Sequence, residues 1–229
     1  MAEEDQPKYT LTLPDGQKVH RSRDYSGRAS ASYENGESYS GDFVDGVRIG
    51  SGKYNYVNGD EYVGGFDENK KHGMGRFRYS GKPLASEEEA EVVQASGWYQ
   101  GEFFDGLKQG QGSFRYQNGD VYSGSWLKGK KHGGGTYVFA DGSKLSGIWS
   151  EGYLSKGEWQ LIGGLVWQGE FVWNYPKGSG EWLIPSGRRL FGEFIQRIEE
   201  DTSETEQPKE PSNISLLWIP YPGPLVDCN

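Results

Sequence analysis

Large apolar and polar positions alternate along this chain in short runs that return at a nearly fixed interval. In Tyr122-Ser123-Gly124-Ser125-Trp126 an aromatic is followed two residues on by glycine and four residues on by a second aromatic, with polar residues between. A two-residue period sends alternate side chains to opposite faces of a strand, so each run predicts a β-strand with one buried face. The motif starts at Tyr39, Tyr62, Tyr99, Tyr122, Leu145, Trp167 and Leu190, at intervals of 23, 37, 23, 23, 22 and 23 residues. The one long interval is a period plus 14 residues. A repeat of this length marks an array that stacks one small unit rather than a single globular core.

Each period predicts a β-hairpin. In the unit from Tyr122 to Gly142 the polar stretch Gly129-Lys130-Lys131 reads as the turn, and Thr136 to Phe139 as a returning strand that ends at Asp141-Gly142. Glycine pairs 11 and 13 residues after the anchor mark the second strand, as in Gly50 with Gly52 and Gly133 with Gly135. Glycine beside aromatics lets a ring lie flat on the backbone, since no Cβ stands in the way. The unit at Leu145 departs from this pattern. Lys156 and Glu158 replace the glycines and the period is one residue short, which predicts a bulge or an altered turn.

A lone hairpin cannot bury its aromatic row. Successive hairpins are therefore expected to join into an all-β, elongated single antiparallel sheet, a twisted rod or plate that grows by about 10 Å per repeat. The organisation read from the sequence is an N-terminal segment at 1–24, a partial hairpin at 25–38 and an array at 39–197 with an insertion at 82–97. An acidic linker at 198–211 and an apolar, proline-rich tail at 212–229 follow.

Composition narrows what such an array can do. With a net charge of −9, neither nucleic acid nor an anionic membrane is expected as the main partner. The opening Met-Ala-Glu-Glu-Asp has no apolar run, and the single cysteine, Cys228, has no partner for an internal disulfide, so an intracellular soluble protein is expected. His72 and His132 each follow two lysines, but they lie at least four strands apart, about 19 Å, too far to share a metal. They read as turn residues, and no metal or cofactor is expected. No nucleophile, base and orienting group come together in the sequence, and the 35 residues after Phe194 are too few for a catalytic domain, so enzyme activity is not expected.

Two kinds of surface remain. Lys70, Lys71, Lys108, Lys130, Lys131 and Lys177 fall in the predicted turns, where they read as a solubilising edge or as a strip for an anionic partner. The insertion carries Glu87-Glu88-Glu89-Ala90-Glu91 and reads equally as a short helix or a tolerated loop. The tail groups Leu216, Leu217, Trp218, Ile219 and Tyr221, and leaving such side chains in water costs about 1.5–3 kcal/mol each. The tail must dock, either back on the last strand near Phe194 or into a partner. The acidic linker, which lets it reach away, favours the partner. Candidate partner contacts are Tyr122, Trp126, Trp149, Trp167, Phe171 and Trp173 on the aromatic face, with Leu217, Trp218 and Tyr221 in the tail.

The recurring pattern Y-x-G-x-W/F-x-x-G-x-x-x-G-x-G resembles the MORN family, the membrane occupation and recognition nexus repeats, from about Tyr39 to Phe194, with a half unit at Gly27 to Gly36. That resemblance implies a sheet-like scaffold without intrinsic catalysis, pairing through terminal repeats as a homodimer or with other subunits. The degenerate unit Leu145 to Gly164, the linker Glu199 to Pro211 and the segment Leu216 to Pro222 are similar in layout to the radial spoke head protein 1 group of ciliary axonemes. The insertion and a shorter tail depart from that group. This second resemblance implies a non-enzymatic assembly subunit of the radial spoke head, partnered by other spoke-head subunits in the axoneme of a cilium or flagellum and contributing to motility. The alternative is a membrane-apposed tether that binds anionic phospholipids through Lys70, Lys71, Lys130 and Lys131.

Overall fold

The computed structural model describes residues 9–20, 24–81, 96–198 and 213–222. By contact the chain divides into two compact units, one of Met1–Gly119 with Trp126–Gly129 and one of Asp120–Ser125 with Lys130–Asn229. The first holds β1 (Tyr9–Thr12), β2 (Lys18–Val19), β3 (Gly27–Tyr33), β4 (Ser38–Val44), β5 (Val47–Asn55), β6 (Glu61–Asp67), β7 (Lys70–Tyr79), β8 (Gly97–Phe104) and β9 (Leu107–Tyr116). The residues of β10 (Val121–Leu127) are divided between the units. The second unit continues with β11 (Lys130–Val138), β12 (Lys144–Ser150), β13 (Tyr153–Gln160), β14 (Val166–Val172), β15 (Tyr175–Leu183), β16 (Arg189–Ile198) and β17 (Ile214–Pro220). Among the described residues there are strands and turns but no helix. The antiparallel hairpin-repeat fold expected from the sequence is the fold observed.

The hairpins close through two-residue turns: Asp45-Gly46, Glu68-Asn69, Asp105-Gly106, Lys128-Gly129, Glu151-Gly152 and Trp173-Asn174, in which both residues have positive φ. Such turns carry the right-handed twist that neighbouring strands need. They are shorter than the sequence suggested. Lys70, Lys71, Lys130 and Lys131, expected in the turns, instead open β7 and β11, and His72 and His132 follow them within those strands. Successive hairpins are clipped together, since Asn69 N–H donates to Arg48 O at 3.1 Å, Gly106 N–H to Lys71 O at 2.9 Å and Gly152 N–H to Lys131 O at 3.0 Å.

The two glycines of the second strand do different work. Between β4 and β5 the register passes from Gly41↔Gly52 to Phe43↔Arg48, so Asp42 faces three residues, Ile49 to Ser51. Gly50 sits in this bulge at φ +69, a conformation that side chains with a Cβ adopt poorly. Gly52 lies beneath the anchor ring, where an added Cβ would stand 2.6 Å from Tyr39 Cζ. In the shortened unit the bulge persists with one residue fewer: Ile148↔Lys156 is followed by Trp149↔Leu154, leaving only Ser155 extra. This meets the expectation of an irregularity there.

Both ends of the chain differ from the sequence reading. The N-terminal segment contains β1, which pairs with both β2 and β3 and buries Leu11 completely. Strands of four and two residues, without the glycine and aromatic signature, carry no repeat signal. The tail takes the fold-back alternative rather than reaching away: β17 pairs antiparallel with β16, Phe194 opposite Trp218. The Trp218 ring lies 5.2 Å from Trp167 and 5.1 Å from Phe194, over Gly192, where a Cβ would come within 2.5 Å of it. Burying that ring outweighs leaving the tail free. The acidic run of the insertion and nearly all of the acidic linker lie outside the described residues. The strands flanking the insertion pair directly, Tyr79 opposite Gly97.

Candidate functional site

The anchors build the inner face. Tyr39, Tyr62, Tyr99, Tyr122 and Trp167 are no more than 1% exposed. Each tyrosine hydroxyl donates to the carbonyl three residues on, as in Tyr62 to Gly65 O at 2.9 Å and Tyr122 to Ser125 O at 3.0 Å. The fourth-position ring of the next repeat stands edge-on to each anchor, with centroids 5.0 Å apart for Tyr39 and Phe66, 5.0 Å for Tyr62 and Phe103, and 5.2 Å for Tyr122 and Trp149. Edge-on pairs of this kind add about 0.5–1.5 kcal/mol each beyond the area they bury. Tyr122, Trp126, Trp149, Trp167 and Phe171 thus lie buried in this ladder, which makes them the interior of the array and leaves little of them for a partner to touch.

A partner on this face would meet a row of cations. The ninth residue after each anchor is Arg48, Lys71, Lys108 or Lys131 in the first four repeats, and each points over aromatic rings. The Arg48 guanidinium lies 4.9 Å from the centre of Tyr54 and 5.6 Å from Tyr39. Lys71 Nζ lies 4.7 Å from Phe77 and 5.7 Å from Tyr56, Lys108 Nζ 4.7 Å from Trp126 and 5.1 Å from Phe114, and Lys131 Nζ 4.5 Å from Trp149 and 4.8 Å from Tyr137. Ring faces attract cations, by about 0.5–1 kcal/mol at exposed sites and about 2 kcal/mol where water is excluded. In the next two repeats the same position holds Leu154 and Pro176, both buried. Sequence reasoning grouped the lysines as a turn edge and missed this cage. Aligning the repeats on their ninth position would have shown basic residues at the same offset as a buried leucine and a buried proline.

The rings also set the titration behaviour. Burial pushes the Lys108 ammonium down to about 8, and the like charge of Lys71 adds to the effect. Burial raises Tyr56 to about 12, opposed in part by Arg48. Burial, followed by the nearby Asp42 carboxylate, raises Tyr39 to about 12. Tyr54 is raised by burial and by donating its hydroxyl to Glu37 Oε2 at 2.6 Å.

The lysines of the lipid alternative are engaged within the fold. Lys70 pairs with Asp105, Lys130 with Glu151 at 2.7 Å, and Lys71 and Lys131 lie over rings. Trp173 occupies a hairpin turn at φ +56 and packs edge-on against Tyr153 at 4.9 Å. On the opposite face of the last two strands, Phe191, Ile195, Leu217 and Ile219 are 55%, 40%, 43% and 37% exposed, and register places Ile195 opposite Leu217. Tyr221 continues this edge and shares a hydrogen bond of 2.8 Å with Ser179.

Interlocked rings on glycine-bearing hairpins, fringed by cations, define an all-β repeat scaffold or binding module. The segments 39–61, 62–81, 99–121, 122–144 and 167–187 match the family model of the MORN repeat. The shortened unit anchored at Leu145 falls between the matched segments. No match to the chain is found among curated proteins. Among solved structures, the SAS-4 (dCPAP) TCP domain of Drosophila melanogaster, in complex with a proline-rich motif of Ana2 (dSTIL), is similar at 17% identity and TM-score 0.45, covering 83% of this chain and 92% of its own. The wild-type TCP10 domain of Danio rerio CPAP, in complex with a peptide of Danio rerio STIL, is similar at 13% identity and TM-score 0.43, covering 82% of this chain and 86% of its own.

Proposed function

We propose that this chain is a non-enzymatic assembly subunit of the axonemal radial spoke head, holding neighbouring spoke-head subunits in place and so contributing to the regulation of ciliary or flagellar motility. The observation that carries the assembly reading is the apolar patch of Phe191, Ile195, Leu217 and Ile219 on β16 and β17. Exposed apolar side chains gathered on one face, here around Glu193, are the usual mark of a protein interface. The spoke head is the assembly suggested by the layout of the chain, a run of repeats with a degenerate late unit, an acidic stretch and a Leu-Trp-Pro segment.

The test is retention on isolated, salt-washed axonemes from a ciliated cell expressing tagged protein. The wild type should remain, and the double variant Ile195→Asp with Leu217→Asp, which leaves Trp218 in its slot, should wash out. Absence of the wild type from such axonemes would falsify the proposal. The membrane-tether alternative has less support, because Lys70 and Lys130, two of the four lysines it needs, are already paired with carboxylates. Sedimentation with anionic vesicles, unaffected by Lys70→Gln and Lys130→Gln, would remove it.

A further inference from the structure

Lys53–Glu61, Lys70–Asp105, Lys130–Glu151 and Arg189–Glu181 form ion pairs, and neither Arg48 nor Lys108 belongs to any of these four. Arg48 gives Nη1 to the Tyr33 hydroxyl at 3.2 Å and Nη2 to Asn69 O at 3.1 Å, while its buried Nε has no hydrogen-bond partner. Both of these hydrogen bonds go to neutral groups, and the Glu37 carboxylate reaches the guanidinium only by way of the Tyr54 hydroxyl. Beside it, a cleft of about 240 Å³ opens between Arg48 and Lys71 over Tyr54, Tyr56 and Phe66. In a chain of net charge −9, half-buried cations over rings stand out as the feature most complementary to an anion.

Spacing says what shape of anion. Arg48, Lys71 and Lys108 lie on β5, β7 and β9, two strands apart each time, which separates them by about 10 Å. A polyproline II helix repeats every three residues at about 3.1 Å per residue, so one of its edges returns every 9 Å or so. A β-strand returns to the same face after about 7 Å and falls out of step by the second cation. An α-helix about 10–12 Å wide does not enter a cleft of this size. We infer that the inner face of the first unit binds an extended acidic segment of a partner protein, in polyproline II conformation, with a carboxylate at every third residue facing Arg48, Lys71 and Lys108 and prolines against the half-buried Tyr54, Tyr56 and Tyr116.

This inference rests on the binding-module reading and is independent of the axonemal assignment. The test uses the full chain and a labelled peptide of four Glu-Pro-Pro triplets, about twelve residues, followed by fluorescence anisotropy. A second peptide of identical composition, with its glutamates clustered at one end, controls for bulk charge without altering the protein. The spaced peptide should bind about tenfold more tightly than the clustered one and weaken with added salt. Lys108→Met and Arg48→Met should each lower its affinity about threefold with the melting temperature checked in parallel. Equal affinity for both peptides overturns the site, as does preference for a helical peptide with an acid at every seventh residue, or capture by anionic vesicles that the spaced peptide does not displace. Failure of peptide binding with axonemal retention intact removes only this site. Peptide binding that persists without axonemal retention keeps the site and removes only the spoke assignment.

Discussion

The repeats anchored at Tyr39, Tyr62 and Tyr99 and those anchored at Leu145 and Trp167 follow one backbone plan with two different interiors. In the first group the anchor is a tyrosine whose hydroxyl is bonded to a carbonyl, and the ninth residue is a cation over rings. In the second group the anchors cannot make that bond, Trp167 Nε1 is buried without a partner, and the ninth residue is Leu154 or Pro176. An orphaned donor of this kind costs about 1–3 kcal/mol, yet the ladder continues through it. The difference teaches that the array needs a bulky group at the anchor and a facing pair of glycines two residues on, Gly41↔Gly52, Gly147↔Gly157 or Gly169↔Gly180. Polarity at the anchor and at the ninth position differs between the two groups, each residue matched to its own surroundings, and is where repeats acquire individual character.

Exchanging the two interiors tests that statement. Leu154 is 1% exposed opposite Trp149, so Leu154→Lys places an ammonium in a sealed apolar slot and should cost about 3–5 kcal/mol, read as a lower urea midpoint. A smaller loss is expected from Gly112→Ala, whose Cβ would come within 2.5 Å of the Tyr99 ring. About 1–3 kcal/mol is the usual range for such overpacking. Gly134→Ala, with nothing within 4 Å, should be close to neutral by the same measurement. Comparable losses at Gly112 and Gly134 would show that the glycines serve chain flexibility rather than ring stacking.

The comparison can also be sharpened by a pH profile. Lys108 titrates at about 8 in the fold against an ordinary 10.5, so between those values the unfolded chain holds a proton that the folded one has released. Stability should therefore rise as pH climbs from about 8 toward about 10, where the tyrosines take over. Tyr39 and Tyr56, raised from 10 to about 12, favour the folded state below pH 10 and lose that contribution as pH climbs through 12. Lys108→Leu should abolish the rise and keep the fall. A rise that survives in the variant would assign it to another group.

The hairpins, their period and the anchor positions were legible because the repeat multiplies a weak two-residue alternation until it is unmistakable. The bulge at the unit of Lys156 and Glu158 was legible for the same reason, as a departure from a rule already visible. Tyr9–Thr12 carried no such amplification and was passed over. The docking of Trp218 was one of two alternatives, and choosing between them required knowing that Gly192 opens a slot opposite β17. Least visible were the roles of the lysines. Whether Lys71 faces rings while Lys70 faces Asp105 depends on where a two-residue turn ends and the strand begins, and a shift of one residue exchanges the two faces.

Trp218 stands against Trp167 and Phe194 and covers Gly192, as the anchor ring covers the matching glycine in earlier repeats. The strand that carries it is therefore a stopper, and the number of rungs in the second unit is fixed by where it lands. A chain lengthened by duplicating one period ahead of β16 keeps its stopper and remains a finished object. A chain that loses 213–222 presents β16 as a template on which any matching strand can add, and each addition recreates the same invitation. Its failure would first be seen as turbidity or fibre growth in a sample whose remaining hairpins are still folded.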